Sequence, residues 1–272
     1  RSFYGGTTVA RSGGTDAGIG AYAAGLALGK ALLVCLGVFA GVNLLYVIFW
    51  VIVASTVDVK KPLEKQRGIC RIGCASIAGW LCAWGRVHVT LTGRELLPTE
   101  GHFLFVCNHR SMFDPIVSAH VLRDYNISFI SKPENISLPF IGPLAYGAGF
   151  LPINRDNDRE ALKTILLAAD YMKRDLCSIG VYPEGTRSKT GKMGPFHAGS
   201  FKTAQKANVP VVIAAIRGTE KVSKNFPFRR TQVGFDIVEV VPAEQVKAMN
   251  THELSDYCRG RIAAHVGEEA AQ

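Results

Sequence analysis

The sequence predicts an α/β fold, a mostly parallel central sheet flanked by helices, behind an N-terminal transmembrane helix and an interfacial helix. Three observations predict it. Residues 31–54 contain no charged side chain, which suits a bilayer-spanning helix. From about residue 86, short β-branched and apolar runs alternate with stretches of helical periodicity, the pattern of βα units around a parallel sheet. One run, VPVVIAAI (209–216), is apolar throughout, as a strand buried on both faces must be.

The chain has 272 residues and a net charge of +9, a length that suits one catalytic domain plus an attachment segment. The Gly-rich opening YGGTTVARSGG carries no structural pattern, and residues 1–30 are expected to be flexible. The run ALLVCLGVFAGVNLLYVIFWVIVA (31–54) has Asn43 as its one strongly polar residue. It is long enough to cross a ~30 Å hydrocarbon core, too uniformly apolar for a globular core helix and too long for a signal peptide. Lys60, Lys61, Lys65, Arg67 and Arg71 follow it, whereas Arg1, Arg11 and Lys30 precede it. The positive-inside rule then puts the domain that follows on the cytoplasmic face of the membrane. A second apolar stretch, 69–84, is interrupted by Arg71 and carries Trp80 and Trp84. Within a basic linker over 55–85 it reads as an in-plane interfacial helix. The seven cysteines are odd in number and lie mostly in apolar stretches. CRIGC (70–74) has no second Cys/His pair to complete a zinc site, so the thiols are expected to be reduced and buried.

The remaining segment, 86–272, is read as one domain. HVTLTG (88–93) and HFLFVC (102–107) are expected strands, PIVSAHVLRDY (115–125) a helix and ISFIS (127–131) a strand. KPENISLPFIGPLAYGAG (132–149) is rich in Pro and Gly and is expected to be a loop. FLPIN (150–154) is a short strand. DREALKTILLAADYMKRD (158–175) has helical spacing, with acids at its start and bases at its end. CSIGVYP (177–183), VPVVIAAI (209–216) and TQVGFDIVEVV (231–241) are strands, GSFKTAQKAN (199–208) a helix, and THELSDYCRGRIAAHV (251–266) a closing helix with Thr251 as its expected N-cap.

NHRSMFDP (108–115) poses the functional question. On one unbroken helix His109 and Asp114 would sit about 140° apart. A strand-to-helix turn, with Asp114 as N-cap and Pro115 as first helical residue, lets the carboxylate reach one imidazole nitrogen. That fixes the tautomer and raises basicity, as a general base acting on a hydroxyl requires. A helix cap beside a polar loop histidine explains the same spacing. His120/Asp124 and His252/Asp256, spaced i,i+4, read as ordinary helix-face pairs. YPEGTRS (182–188) leaves an apolar strand with Gly185 and Thr186 in a turn and Arg187 suited to a phosphate or carboxylate. Lys132 and Arg155 stand at two further strand ends. If these ends share one sheet edge, three cations converge near His109, where open α/β sheets bind ligands.

NHRSMFD, KPENISLPFIGPLAYGAGFLPINR, YPEGTRS and VPVVIAAI resemble the four ordered motifs of the glycerolipid acyltransferases, in particular the 1-acyl-sn-glycerol-3-phosphate (lysophosphatidic acid) acyltransferases. The similarity covers roughly residues 85–245. The resemblance implies that His109 is the catalytic base and Asp114 its orienting partner. It implies that Lys132 and Arg155 hold the acceptor's phosphate. It implies that Glu184, Gly185, Thr186 and Arg187 shape the acceptor site, with Arg187 on phosphate, and that 209–216 is a buried strand near the acyl site. Three positions depart from the family pattern: Tyr182 where Phe is usual, Ile213 where a second proline is common, and His197 in FHAGSF for a frequent lysine.

The implied reaction moves an acyl group from acyl-CoA or acyl-acyl carrier protein to the 2-hydroxyl of 1-acyl-sn-glycerol-3-phosphate, giving phosphatidic acid. No metal or other cofactor is expected. Lysophosphatidic acid, the acidic donor and anionic membrane lipids are the expected partners, with no nucleic acid, and a basic chain suits them. There is no G-x-S-x-G elbow, so direct transfer is favoured, although Ser111 and Cys107 near His109 leave an acyl-enzyme route open. The alternatives are glycerol-3-phosphate or another lysophospholipid as acceptor, a hydrolase, and a non-catalytic module that binds phospholipid headgroups.

Overall fold

The computed structural model describes residues 14–188 and 192–267. It divides into two units, 1–51 and 52–272. The first is the bulk of helix α1 (Gly14–Ser55), 42 residues long. Its segment Gly20–Ser55 has a most apolar window of mean hydropathy 2.5, none of it buried. At 1.5 Å per residue such a helix exceeds the ~30 Å hydrocarbon core. The helix also takes in 14–30, expected to be flexible. That stretch, GTDAGIGAYAAGLALGK, sets five alanines against five glycines and has no proline, so nothing in it stops a helix already nucleated over 31–54 from propagating N-terminally. The opening 1–13 lies outside the described residues.

The second unit begins with a linker fastened to the domain. Arg67 N donates to Gly147 O (2.8 Å), Gln66 Nε2 to Ala148 O (2.7 Å) and Tyr146 Oη to Lys61 O (2.6 Å). Helix α2 (Gly68–Trp84) buries Cys70, Gly73, Ala78 and Cys82. It leaves Ile69, Ile72 and Trp84 exposed.

The elements that follow are β1 (Val87–Thr92), β2 (Leu104–Cys107), α3 (Phe113–Val121), β3 (Ile127–Ser131), α4 (Pro133–Ile136), α5 (Ile141–Gly147), β4 (Leu151–Pro152) and α6 (Asp158–Lys173). Then come β5 (Ser178–Val181), α7 (Lys202–Ala207), β6 (Val211–Arg217), α8 (Val222–Asn225), β7 (Thr231–Val241), α9 (Ala243–Ala248) and α10 (Thr251–Val266). The seven strands form one sheet ordered β1-β7-β6-β2-β5-β3-β4. Every neighbouring pair is parallel except β6/β7. Between these two the chain has a 3-10 turn and the four-residue α8, without the longer helix that usually carries a parallel crossover.

The period-2 alternation of buried strands divides the core in two. Leu104, Val106, Ile179, Val181, Val211 and Ile213 face Tyr171, Met172, Phe201, Leu254 and Ile262 on one side. Phe103, Phe105, Cys107, Val212, Ala214 and Ile216 face Val117, Leu122, Phe129 and Phe235 on the other. Helix α2 packs against both α3 and α5.

Several expectations need correction. The stretch 132–149 is not a structureless loop. It holds α4 and α5, with Pro133 in the first turn where its missing N–H costs nothing. Helix α3 starts at Phe113, with Met112 at the N-cap, and Asp114 lies in its first turn. The closing helix is capped by Asn250, not Thr251. The Asn250 side chain accepts from His252 N and Glu253 N while Glu253 closes a capping box. The pair His120/Asp124 does not form, since Asp124 lies past α3 and pairs with Arg94 at 3.0 Å. His120 instead packs against Gly79 of α2, and burial lowers its pKa, with Arg123 adding to the effect.

Candidate active site

The parallel strands β2, β5, β3, β4 and β6 all end on one edge of the sheet. The predicted site residues leave from those ends. Asn108 and His109 follow β2, Glu184 to Arg187 follow β5, Lys132 follows β3, and Arg155 follows β4.

Asn108 fixes the geometry at the first of these ends. Its Nδ2 donates to Ile216 O (2.9 Å) and its Oδ1 accepts from Ile216 N (2.8 Å). A buried side-chain amide thus continues the β2–β6 pairing beyond the last strand residue. The chain then turns, and His109 Nδ1 lies 2.8 Å from Asp114 Oδ2. The same oxygen accepts from Arg110 N (2.6 Å) and Ser111 N (2.7 Å). The other oxygen, Oδ1, accepts from Thr219 Oγ1 (2.5 Å), just past β6. Asp114 and Thr219 are fully buried. A carboxylate oxygen that faces donors on every side accepts from His109, so Nδ1 carries the imidazole proton and Nε2 presents a lone pair. Among the described residues Nε2 has no partner, and the His109 side chain keeps 18% of its surface exposed.

Two neighbours hold this pair. The Tyr182 ring lies 4.7 Å from the imidazole, tilted by 31°. Its hydroxyl is 2.8 Å from Ser118 Oγ on α3, so the hydroxyl of this departure from Phe is satisfied. Glu184 is buried, and its Oε1 accepts from His109 N (2.6 Å) while its Oε2 accepts from Gly194 N (2.9 Å). Burial pushes its carboxyl above the usual range, with the two backbone bonds pulling the other way. Glu184 thus ties the backbone of His109 to the segment that follows the EGTR turn.

Gly185 adopts φ +74°, a left-handed conformation that costs glycine little. A Cβ there would lie 2.9 Å from His197 Nε2 and 3.1 Å from Arg155 Nη1. So Arg155 meets the EGTR turn. It is exposed as a residue, while its guanidinium head is desolvated enough to lower its pKa. Thr186 and Arg187 are exposed on that turn, and Lys132 is exposed at the N-cap of α4. With the described residues none of the three cations makes an ion pair.

Residues 88–217 match the family model described as Acyltransferase. A 1-acyl-sn-glycerol-3-phosphate acyltransferase of Salmonella typhimurium is 30% identical over 172 residues, 62% of this chain and 68% of that one. The chain belongs to the 1-acyl-sn-glycerol-3-phosphate acyltransferase family. A putative acyltransferase of the same name from Caenorhabditis elegans is 30% identical over 186 residues, 67% of this chain and 66% of the other. The fold is that of the 1-acyl-sn-glycerophosphate (LPA) acyltransferase PlsC of Thermotoga maritima, with TM-score 0.60 and 23% identity over 74% of this chain and 81% of that one.

Asn108 and Thr219 escape a reading of the acyltransferase sequence. Asn108 adjoins the histidine, yet its partner on β6 is 108 positions away. Thr219 is 105 positions from Asp114, and a lone Thr after Gly218 carries no sequence signal. Of the two candidate nucleophiles, Ser111 Oγ accepts from Phe113 N (3.2 Å). Burial pushes the Cys107 thiol well above its ordinary range, with Asp114 and Glu184 adding to the effect, which disfavours a thiolate there.

Proposed function

We propose that this acyltransferase passes an acyl group directly from acyl-CoA or acyl-acyl carrier protein to the 2-hydroxyl of 1-acyl-sn-glycerol-3-phosphate, with His109 as general base. The observation that carries this reading is the Asp114 carboxylate on His109 Nδ1, which leaves Nε2 open. Nε2 takes the hydroxyl proton as the oxygen attacks the thioester carbonyl, and Asp114 stabilises the imidazolium that forms. The tetrahedral oxyanion needs donors. The backbone amides of Thr186 and Arg187 bond to none of the described residues and are free to serve. Collapse of the intermediate expels the thiolate, and His109 returns its proton to it. Lys132, Arg155 and Arg187 receive the acceptor's phosphate, as unpaired cations at one sheet edge are suited to do. The reaction, so written, uses no metal or other cofactor.

The domain works at a cytoplasmic membrane surface. Support comes from the apolar length of α1, the basic residues after it, and the exposed Ile69, Ile72 and Trp84 of α2 with Leu138, Phe140 and Ile141 around α5. Anionic lipids are the surface partners that this charge favours.

The test is phosphatidic acid formation by detergent-purified protein from 1-oleoyl-glycerol-3-phosphate and oleoyl-CoA. His109→Ala and Asp114→Asn are expected to lower kcat by about 10²–10⁴-fold with the thermal midpoint preserved. Unchanged activity in either variant would remove the His–Asp base. Donor consumed without acceptor would indicate a hydrolase. Labelled acyl trapped on the protein and lost in Ser111→Ala or Cys107→Ala would replace direct transfer with an acyl-enzyme. If no donor yields product with any glycerol phosphate acceptor, the headgroup-binding module stands.

A further inference from the structure

Gly185 marks the point where two side chains from separate parts of the domain close together. Arg155 arrives from the segment after β4 and His197 from the segment after the EGTR turn, and Nη1 of one and Nε2 of the other both crowd the space a Cβ would take. The residue His197 is exposed, and its backbone N–H is tied to Pro183 O at 2.8 Å. That bond anchors the ring's segment to the same turn. Among the described residues its imidazole has no hydrogen-bond or ion-pair partner. The charged groups on the surrounding elements are Arg155, Glu184 and Arg187 on the turn, and Arg259 of α10, whose Nε donates to Gly194 O at 3.0 Å. Both carboxylate oxygens of Glu184 are already engaged. An imidazole and a guanidinium that converge on Gly185, with Arg187 on the same turn and no free carboxylate there among the described residues, form an incomplete anion site.

We propose that His197 is a ligand of the acceptor's phosphate beside Arg155. This rests on the acceptor reading given above and adds a residue to it. A phosphate seated against the Gly185 turn accepts one bond from the imidazole N–H of His197 and others from the guanidinium of Arg155, whose fork suits two of its oxygens.

The test measures KM for 1-oleoyl-glycerol-3-phosphate at saturating oleoyl-CoA for the parent protein, H197A and H197K. The parent and H197K are expected to share a low KM, with H197A about five- to tenfold higher. kcat is expected to agree within about twofold among the three. An H197A KM equal to the parent's overturns the proposal. So does a fall in kcat with KM unchanged in folded H197A and H197K, which would make His197 a support of the turn. A parent protein that makes no phosphatidic acid fails at the acceptor reading instead, and the His197 proposal falls with it.

Discussion

Of the four donors on Asp114, only one is the base it serves. Two are the amides of Arg110 and Ser111, which fix the turn, and the fourth is the buried hydroxyl of Thr219. Thr219 comes straight after Gly218, whose φ of +90° and whose approach to Gln232 O leave no room for a Cβ. The end of β6 thus reaches the catalytic carboxylate through a turn that requires glycine. Thr219→Val keeps the shape of the side chain but leaves Oδ1 without its donor. A buried acceptor deprived of its bond costs about 1–3 kcal/mol, and kcat is expected to fall about tenfold or more while the variant stays folded. Thr219→Ser keeps the hydroxyl and should restore kcat. A Thr219→Val kcat equal to the parent's would show Thr219 to be a packing residue only. The His109/Asp114 pair was open to reading because both members lie in one turn. Thr219 was not, because strand order brings it there.

At the scale of elements, the strands were the most legible part. Short runs rich in β-branched and apolar residues mark them, and β3 and β7 begin and end where ISFIS and TQVGFDIVEVV do. Helices α4 and α5 were missed because Pro and Gly usually punctuate loops. Here Pro133 starts α4, and Gly142 meets Ile136 O so closely that a Cβ would not fit. Gly180 shows how strand composition reaches the site. A Cβ on this β5 residue would lie 2.4 Å from Phe129 Cε1 on β3. Phe129 in turn stacks on Tyr182, with centroids 6.2 Å apart, and Tyr182 lies against His109. Gly180→Ala therefore overpacks the sheet face beneath the base. It is expected to cost about 1–3 kcal/mol, seen as a lower thermal midpoint, together with reduced kcat. The double variant Gly180→Ala/Phe129→Leu makes room for the methyl and should recover most of the midpoint. If it recovers none, the damage comes from the backbone of β5 rather than from the Phe129 ring.

At the scale of the molecule, the alternation of strands and helices made the class of fold legible, but not the order of the sheet. The position of β7 between β1 and β6, antiparallel to β6, depends on a connection whose length alone does not set its direction. Composition did give the state of the cysteines: all seven are free, and five are fully buried. Burial pushes the thiols of Cys82 and Cys177 up to about 11, and those of Cys74 and Cys258 up to about 12, while Cys107 also rises well above the ordinary value. Tyr171 is raised to about 12 by the same cause. These groups lie in the domain beyond residue 51, so they act together on its stability. In the unfolded chain each thiol gives up its proton near pH 9, whereas in the fold it keeps it. Between those values the unfolded state binds fewer protons, and stability falls as pH rises, by up to about 1.4 kcal/mol per pH unit for each such group. Below pH 8 both states hold these protons and the effect vanishes. The thermal midpoint of the domain is therefore expected to be flat in this contribution up to pH 8 and to drop steeply from pH 9 to pH 10.5. Replacing Cys177 and Cys258 with alanine and serine-free apolar side chains of similar size, such as Cys177→Ala and Cys258→Val, should make the drop shallower. Iodoacetamide at pH 8 should leave the buried Cys82, Cys107, Cys177 and Cys258 unlabelled in the native protein and label them after denaturation. Rapid native labelling of Cys107 would contradict its burial, and an alkaline midpoint profile unchanged in the double variant would show that Cys177 and Cys258 contribute nothing to the drop.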